Sequence, residues 1–375
     1  MLRQDKLSVV RAFSKEYRQG RKREKTILLN KLIKITGYSR KHSQEILPQP
    51  PKKRRTRRMR VSPYLVVLKP LKKLWAVSNY ACEERLVPMI PTYLSALKRH
   101  EKWTVTPKEK KLLFSLSIST ANRLLKYERR RINIKSRSRT KPGSLLKHQI
   151  PIRTFADWTE KAPGFLEIDT VHHCTEDNKG DYLHTLDTVD VLTGWNECRA
   201  FMGKSERHTV EGLEIIRKRL PFPLLGIDFD TGSEFVNYHL VRYSERNNIT
   251  YTRAREEKKN DQNYIEQQNF SVVRRFVGYQ RLDTYKQLRI LNGLYDLLSD
   301  YQNFFQSVMR LKEKVRNGTR LTRRYDRAKT AYQRVLECTE IKPEVKEKLK
   351  SRYLKLNPKR LLLEITRLGR KLAEK

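Results

Sequence analysis

Apolar positions recur at helical spacing in the first third of the chain, contract to short runs in the middle, and return to helical spacing at the end. The first part predicts a helix over 6–18 and a second from about residue 25. Ile27, Leu28, Leu29, Leu32 and Ile33 form the apolar face of the second helix. Thr36-Gly37-Tyr38 reads as a turn, and Ser39 caps a third helix over 40–47. This layout suits a helix-turn-helix and, equally, a three-helix bundle with basic solvent faces. From 62 to 100 the periodic positions are Leu71, Leu74, Trp75, Leu86, Ile90, Leu94 and Leu97. A second turn-and-helix candidate spans 104–125, its last helix reading Ser119-Thr120-Ala121-Asn122-Arg123-Leu124-Leu125-Lys126.

The middle reads differently. A strand from Phe165 ends at Asp169 and a loop follows over 174–180. Strands over 182–189 and 195–201 are joined by a turn at Thr193-Gly194. Helices over 205–220, 233–246 and 261–277 alternate with short strands over 224–229 and 249–252. That order implies an α/β fold, a mixed sheet with helices on its faces. Beyond 284 the chain is helical to Met309. Asn317-Gly318 between two basic runs, 311–316 and 319–324, signals a hairpin. Two helices, over 343–354 and 358–373, finish it.

Charge divides the chain the same way. Residues 1–160 carry 41 basic and 11 acidic side chains, residues 161–285 carry 17 and 20, and residues 286–375 carry 24 and 10. A near-neutral centre between strongly basic flanks makes a polyanion the default partner, held by the flanks. A generally basic, ribosome-like protein would have no reason to keep an acidic centre. Lys52, Lys53, Arg54, Arg55, Arg57, Arg58 and Arg60 form a run that self-repulsion keeps extended, suited to a phosphate backbone or a minor groove. Arg123, Arg129, Arg130 and Arg131 add basic groups to the 104–125 candidate, where small polar residues precede basic ones as groove reading requires. The expected divisions are a helix-turn-helix domain (1–50), a basic linker (51–61), a second helical DNA-binding region (62–155), a catalytic core (156–285) and a basic C-terminal hairpin with helices (286–375). The four cysteines lack CxxC spacing, so neither a zinc module nor a disulfide framework is indicated. No window approaches the ~20 apolar residues of a membrane span, and the N-terminus does not lead into a signal-peptide run. These features suit a reducing, cytoplasmic compartment.

Candidate chemistry lies in the carboxylates. Asp169 sits in an apolar strand, where an unpaired carboxylate is costly without a cation. Asp228 and Asp230 both sit near the end of the 224–229 strand. Two residues apart, they point the same way, so alternation does not choose between them. Glu266 opens a helix, on one side with Phe270, Val273 and Val277. Asp190, just before the turn, reads as a turn or edge residue. Hard carboxylate oxygens suit divalent ions of the kind that serve phosphodiester chemistry. Lys258 and Lys259 precede the last helix and are placed to hold a phosphate; His173 is a candidate for a supporting or DNA-contacting position.

Three motifs carry a resemblance. Gly164-Phe165-Leu166-Glu167-Ile168-Asp169, Asp230-Thr231-Gly232-Ser233-Glu234-Phe235 and Asn260-Asp261-Gln262-Asn263-Tyr264-Ile265-Glu266-Gln267-Gln268-Asn269 resemble the catalytic motifs of DDE transposases of bacterial insertion sequences, whose core is of the retroviral-integrase type. The 35 residues between Asp230 and Glu266 match that family's spacing, and Thr231 replaces its commonest Asn. Weaker likeness extends outward, including Thr140–Lys147 and Tyr325-Asp326-Arg327-Ala328-Lys329-Thr330. The resemblance implies a ribonuclease-H-like, five-stranded mixed sheet and selects Asp230 over Asp228. It implies that Asp169, Asp230 and Glu266 are catalytic and hold two Mg²⁺ ions, with Mn²⁺ as a substitute. It also implies that the protein binds terminal inverted repeats of double-stranded DNA, frees 3′-hydroxyls by hydrolysis and joins them to target DNA as a homodimer or larger oligomer. The competing readings are a non-catalytic DNA-binding descendant and a ribonuclease-H-like nuclease.

Overall fold

A computed structural model describes residues 2–50, 62–132, 162–175, 179–203, 206–229, 238–253, 265, 269–317 and 320–374. The chain divides into two compact units, Met1–Ser62 and Pro63–Lys375.

The first unit holds α1 (Arg3–Gln19), α2 (Lys22–Thr36) and α3 (Arg40–Ile46). Gly37, at φ +66°, ends α2, and the Ser39 hydroxyl accepts the His42 N–H to start α3. Val10, Leu29, Leu32 and Leu47 form its core. The stripe Leu29, Leu32 and Thr36 faces inward. Ile27, expected on the apolar face, lies off that stripe and is exposed.

The second unit opens with α4 (Leu68–Val77), α5 (Glu83–Glu101), α6 (Pro107–Phe114) and α7 (Ile118–Arg131). All seven apolar positions read from 62–100 are buried here. Arg129, Arg130 and Arg131 form the last turn of α7 rather than following it.

The centre is a five-stranded sheet in the order β3-β2-β1-β4-β5: β1 (Phe165–His172), β2 (Leu183–Asp190), β3 (Asn196–Met202), β4 (Gly226–Phe229) and β5 (Thr250–Arg253). β1 pairs antiparallel with β2, and β2 with β3. β1 pairs parallel with β4, and β4 with β5. The mixed α/β sheet expected from the sequence is therefore present. β1 does not stop at Asp169 but runs three residues further, because β2 continues beside it as far as the His172–His184 pair.

Alternation gives the sheet two unlike faces. Leu166, Ile168, Leu186, Ile227 and Phe229 pack beneath α8 (Glu206–Arg219) and α9 (Tyr238–Arg246). On the other face, Val171, Cys198 and Ala200 join a larger core that includes α4, α5 and α7 and the C-terminal helices. A π-helix (Asn269–Arg274) runs into the short α10 (Arg275–Val277), then α11 (Tyr285–Phe305). The sequence predicted one continuous helix over 261–277. The winding buries both Val272 and Val273.

α11 lies along the outer edge of β3. Asn292 accepts the Ala200 N–H (2.9 Å) and donates to the Ala200 carbonyl (3.1 Å). Asn303 does the same for Asn196, with both bonds 2.8 Å. Eleven helical residues span about 16 Å and four strand residues about 13 Å, so three turns of helix match this stretch of edge. Two amides thus occupy backbone groups that an open edge would offer to another chain.

Beyond α11 come β6 (Ser307–Val308), β7 (Leu311–Asn317), β8 (Arg320–Tyr325), β9 (Lys329–Thr330), α12 (Ala331–Glu337), α13 (Pro343–Lys355) and α14 (Pro358–Ala373). β7 and β8 form the hairpin that Asn317-Gly318 predicted. The helix α12 was not expected. Its signal, the capping box of Thr330 and Gln333, is plain in the sequence.

Asn303→Ala leaves two buried backbone groups of Asn196 without partners. It should lower unfolding stability by about 2–4 kcal/mol, read as a lower urea midpoint with an unchanged slope.

Candidate active site on the acidic face of the sheet

Strand alternation gathers acids on the face opposite Leu166 and Ile168. Asp169 stands directly across from Asp187 on β2, and Glu167 across from Asp228 on β4. Glu167, Asp187 and Asp228 are sealed from solvent, whereas Asp169 is only half-buried. Each sealed acid has a dedicated donor. Glu167 Oε2 accepts the Ile265 N–H (3.0 Å), and Asp228 Oδ1 accepts the Thr252 hydroxyl (2.7 Å). Asp187 Oδ1 accepts Asn196 Nδ2 (2.6 Å) and the Cys198 thiol (3.2 Å). Asp169 Oδ1 accepts the N–H of Thr170 (2.7 Å).

Burial pushes the Asp187 carboxyl up to about 7, against the bonds from Asn196 and Cys198 that favour its charge. Burial, followed by the Asp187 charge, raises the Cys198 thiol well above its usual range. Cys198 is thus a thiol donor to an acid that keeps its proton across the acid range and loses it around neutrality.

The end of β1 is fixed from the other side of this face. His173 is fully buried; its Nε2 lies 2.7 Å from the Thr185 hydroxyl, itself 2.7 Å from Tyr295 OH on α11. Burial, then the neighbouring Arg274, brings the imidazole down to about 3, so it is neutral. A sealed, neutral ring has no access to DNA, which corrects one of the two roles read for it. Arg274, the last residue of the π-helix, donates to the His172 carbonyl (2.8 Å) and the Gly278 carbonyl (3.3 Å).

Of the residues singled out in the sequence, Asp230, Glu266, Lys258, Lys259 and the basic run Lys52–Arg60 lie outside the described residues. Arg123 is exposed on α7 and donates to the Thr120 hydroxyl. Arg129 pairs with the buried Glu83 of α5, so its guanidinium ties two helices together. Arg130 and Arg131 are exposed, Arg131 lying 3.7 Å from Glu128. Asp190 is a turn residue, as read, but fully buried on an inner strand. It accepts the N–H groups of Gly164 and Thr193 (2.7 Å each) and the Thr193 hydroxyl (2.6 Å). The sequence reading missed the pairing of Asp187 with Asp169. Strand register was the only signal, and register depends on the turn between the strands. Among the described residues, no group of three or more His, Cys, Asp or Glu is arranged to hold a metal ion. No helix among them is long and apolar enough to cross a membrane.

The fold and face define a mixed α/β sheet protein with carboxylates gathered on one side of its central strand. No protein-family model matches the chain. It shares 35% identity over 321 residues with the uncharacterized protein y4rM of Sinorhizobium fredii (strain NBRC 101917 / NGR234), covering 84% of this chain and 91% of that protein. The chain belongs to the same family as y4rM. Solved structures with loose likeness include a chain of the simian T-cell lymphotropic virus intasome in complex with PP2A regulatory subunit B56 gamma (TM-score 0.32, 14% identity, 57% of this chain and 69% of that one). Two others are the catalytic core domain of BIV integrase (0.31, 16%, 46% and 94%) and the HTLV-2 integrase catalytic core domain in complex with magnesium (0.29, 16%, 39% and 90%). Superpositions this loose assign no role to any residue of this chain.

An acid whose folded pKa lies above its unfolded value binds more protons when folded, so stability falls as pH rises between the two. For Asp187 that window runs from the ordinary carboxylate range to about 7. Asp187→Asn, which keeps the acceptor oxygen, should flatten this decline. Urea unfolding at a series of pH values, wild type against variant, measures the difference.

Proposed function

We propose that the chain is a DNA transposase with a ribonuclease-H-like catalytic core, in which Asp169, Asp230 and Glu266 form the catalytic set. One observation carries this reading. The residue before Asp230 and the residue before Glu266 are both held against the two residues that precede Asp169. Phe229 pairs with Ile168 in parallel register, and the buried Ile265 donates its N–H to Glu167. Chain segments far apart in sequence therefore converge on one short length of β1. Asp228 is already engaged by Thr252 and sealed, which supports Asp230 as the reactive member of that pair.

The donor set is carboxylate alone, which suits a hard divalent cation, and the partial exposure of Asp169 leaves it accessible. Asp169, Asp230 and Glu266 would hold Mg²⁺, or Mn²⁺ in its place. When bound, the metal supplies electrostatic stabilisation for phosphodiester hydrolysis and transesterification. The chain does the rest. Its basic flanks neutralise phosphates and hold a duplex. Glu167, Asp187 and Asp228 brace the strands behind Asp169, and their donors offset the mutual repulsion of the acids. Hydrolysis at a transposon end frees a 3′-hydroxyl, which then attacks a target phosphodiester. Lys258 and Lys259 are placed in sequence to hold a phosphate beside the catalytic set. The exposed face of α7 with Arg123, Arg130 and Arg131, the run Lys52–Arg60 and the N-terminal helices supply end recognition. Joining two ends calls for at least two protomers on DNA, in the cytoplasm at the nucleoid.

Strand transfer with candidate terminal repeats and Mg²⁺ or Mn²⁺ tests the reading. Asp169→Asn, Asp230→Asn and Glu266→Gln should each reduce joining by at least about a hundredfold while duplex binding persists. Unimpaired joining by Asp230→Asn refutes its assignment. Cleavage without joining by wild type marks a nuclease, and binding without cleavage under either metal marks a non-catalytic protein.

A further inference from the structure

The motif Tyr325–Thr330 has no part in the catalytic set, yet both carboxylate oxygens of its Asp326 are engaged, one by Arg310 and one by Arg334. It lies one residue past β8, at the base of the basic hairpin. Its Oδ1 accepts the Arg310 N–H (2.6 Å), while its own N–H donates to the Arg310 carbonyl (2.9 Å). These two bonds close the hairpin's base from one strand to the other. Its Oδ2 meets Arg334 Nη1 of α12 at 2.7 Å, and Arg334 Nη2 donates to the Val308 carbonyl (2.9 Å). The Asp326 and Arg334 side chains are 12% and 13% exposed, so solvent screens their charges little. Burial pushes the Asp326 carboxyl up, but the bonds from Arg334 and the Arg310 N–H outweigh it and the acid stays ionised.

The link continues inward. Arg310 Nη2 donates to the Asp190 carbonyl (3.0 Å). It lies 3.1 Å from where a Cβ at Gly194 would stand, a position whose φ of +77° already favours glycine. Asp190 in turn holds the Gly164 N–H at the start of β1. A chain of polar contacts therefore runs from the hairpin's base to the central strand.

The hairpin needs such a base. β7 and β8 form a two-stranded sheet by themselves, and an isolated hairpin is marginal in water. Lys312 and Arg324 on its strands and Arg327 just beyond are exposed, and Tyr325 is 52% exposed. Two-stranded ribbons of this kind fit a groove of duplex DNA.

We propose that Asp326, with Arg310 and Arg334, is a positioning clamp that holds the basic β7–β8 ribbon in one direction for a DNA duplex. The choice of DNA as occupant rests on the function proposed above. The clamp raises affinity by preorganisation, with no phosphate contact of its own.

Charge makes the test sharp. Asp326→Asn raises the net positive charge, so simple electrostatics predicts tighter binding of a polyanion. The clamp predicts weaker binding, by about tenfold, to a short duplex of a candidate terminal repeat. It also predicts an unchanged slope of log affinity against log salt. Lys312→Ala with Arg324→Ala should instead lower the slope by about 0.9 for each phosphate that is no longer neutralised. In parallel, spin labels on introduced keto amino acids at positions 322 and 351 report the ribbon's direction without DNA. Their distance distribution should be narrow in wild type and broad in Asp326→Asn. If Asp326→Asn does not fold, Arg334→Lys keeps the charge, loses the two-pronged bond and is measured in its place. Binding as tight as wild type or tighter, or an unchanged distance distribution, overturns the clamp. A wild type that binds no duplex overturns DNA as the occupant, while the label distances still decide whether the clamp exists.

Discussion

Everything at the centre of this molecule follows from the cost of placing four carboxylates on one face of a sheet. An unpaired buried carboxylate is expensive, and neighbouring ones repel. The fold meets the cost residue by residue. Glu167 takes a backbone N–H from Ile265, Asp228 a hydroxyl from Thr252, and Asp187 an amide and a thiol. Asp187 also retains a proton across much of the acid range, which removes one charge from the set. Asp169 alone of the four keeps access to solvent. Three sealed, bonded acids therefore stand beside one that solvent reaches.

The same requirement explains the position of α11. A sheet face with buried polar groups needs a neighbour that bonds them, and α11 does so along its length. Asn292 and Asn303 close the β3 edge, and Tyr295 reaches Thr185 and through it His173. Ser299 donates to Glu197 (2.6 Å), which also accepts Trp195 Nε1 and Arg219 Nε. Burial raises the Glu197 carboxyl, and Arg219, itself shared with Asp296, works against that rise. One helix thus fixes the edge, the strand ends and a buried acid together, with partners more than ninety positions away in the chain.

How much of this was legible in the sequence depends on the range of the signal. The apolar run Phe165–Val171 and the helical stripe from Leu71 to Leu97 are local patterns, and both translate into burial. The hairpin was legible because Asn317-Gly318 is a local turn signal. The extension of β1 to His172 was not, because it depends on a partner strand. Nor was the π winding of Asn269–Arg274, which no local pattern in the sequence marks. No sequence pattern marks Asn292 and Asn303; only the strand beside them gives them a role. Of the candidate site, Asp169 was legible from one strand. Its pairing with Asp187 required the register of two.

Net charge is the feature most easily overread. A total of +41 suggests a surface given over to phosphate, but part of that charge is used inside the fold. Arg129 is tied to Glu83, Arg334 to Asp326, Arg352 to Asp300 and Lys359 to Glu101. Arg219 and Arg310 reach into the sheet's polar network. All of these except the Arg334–Asp326 pair join segments distant in sequence, so the basic residues do two kinds of work. Those paired across elements, Arg324 with Glu313 of the neighbouring strand among them, set the framework, and others such as Arg130 on α7 and Lys312 on the ribbon stay exposed at the surface. Arg129 and Arg130, adjacent in sequence, fall on opposite sides of that division. The distinction lies in which side of α7 faces α5, because a charge counts toward a partner only when the fold has not already given it one.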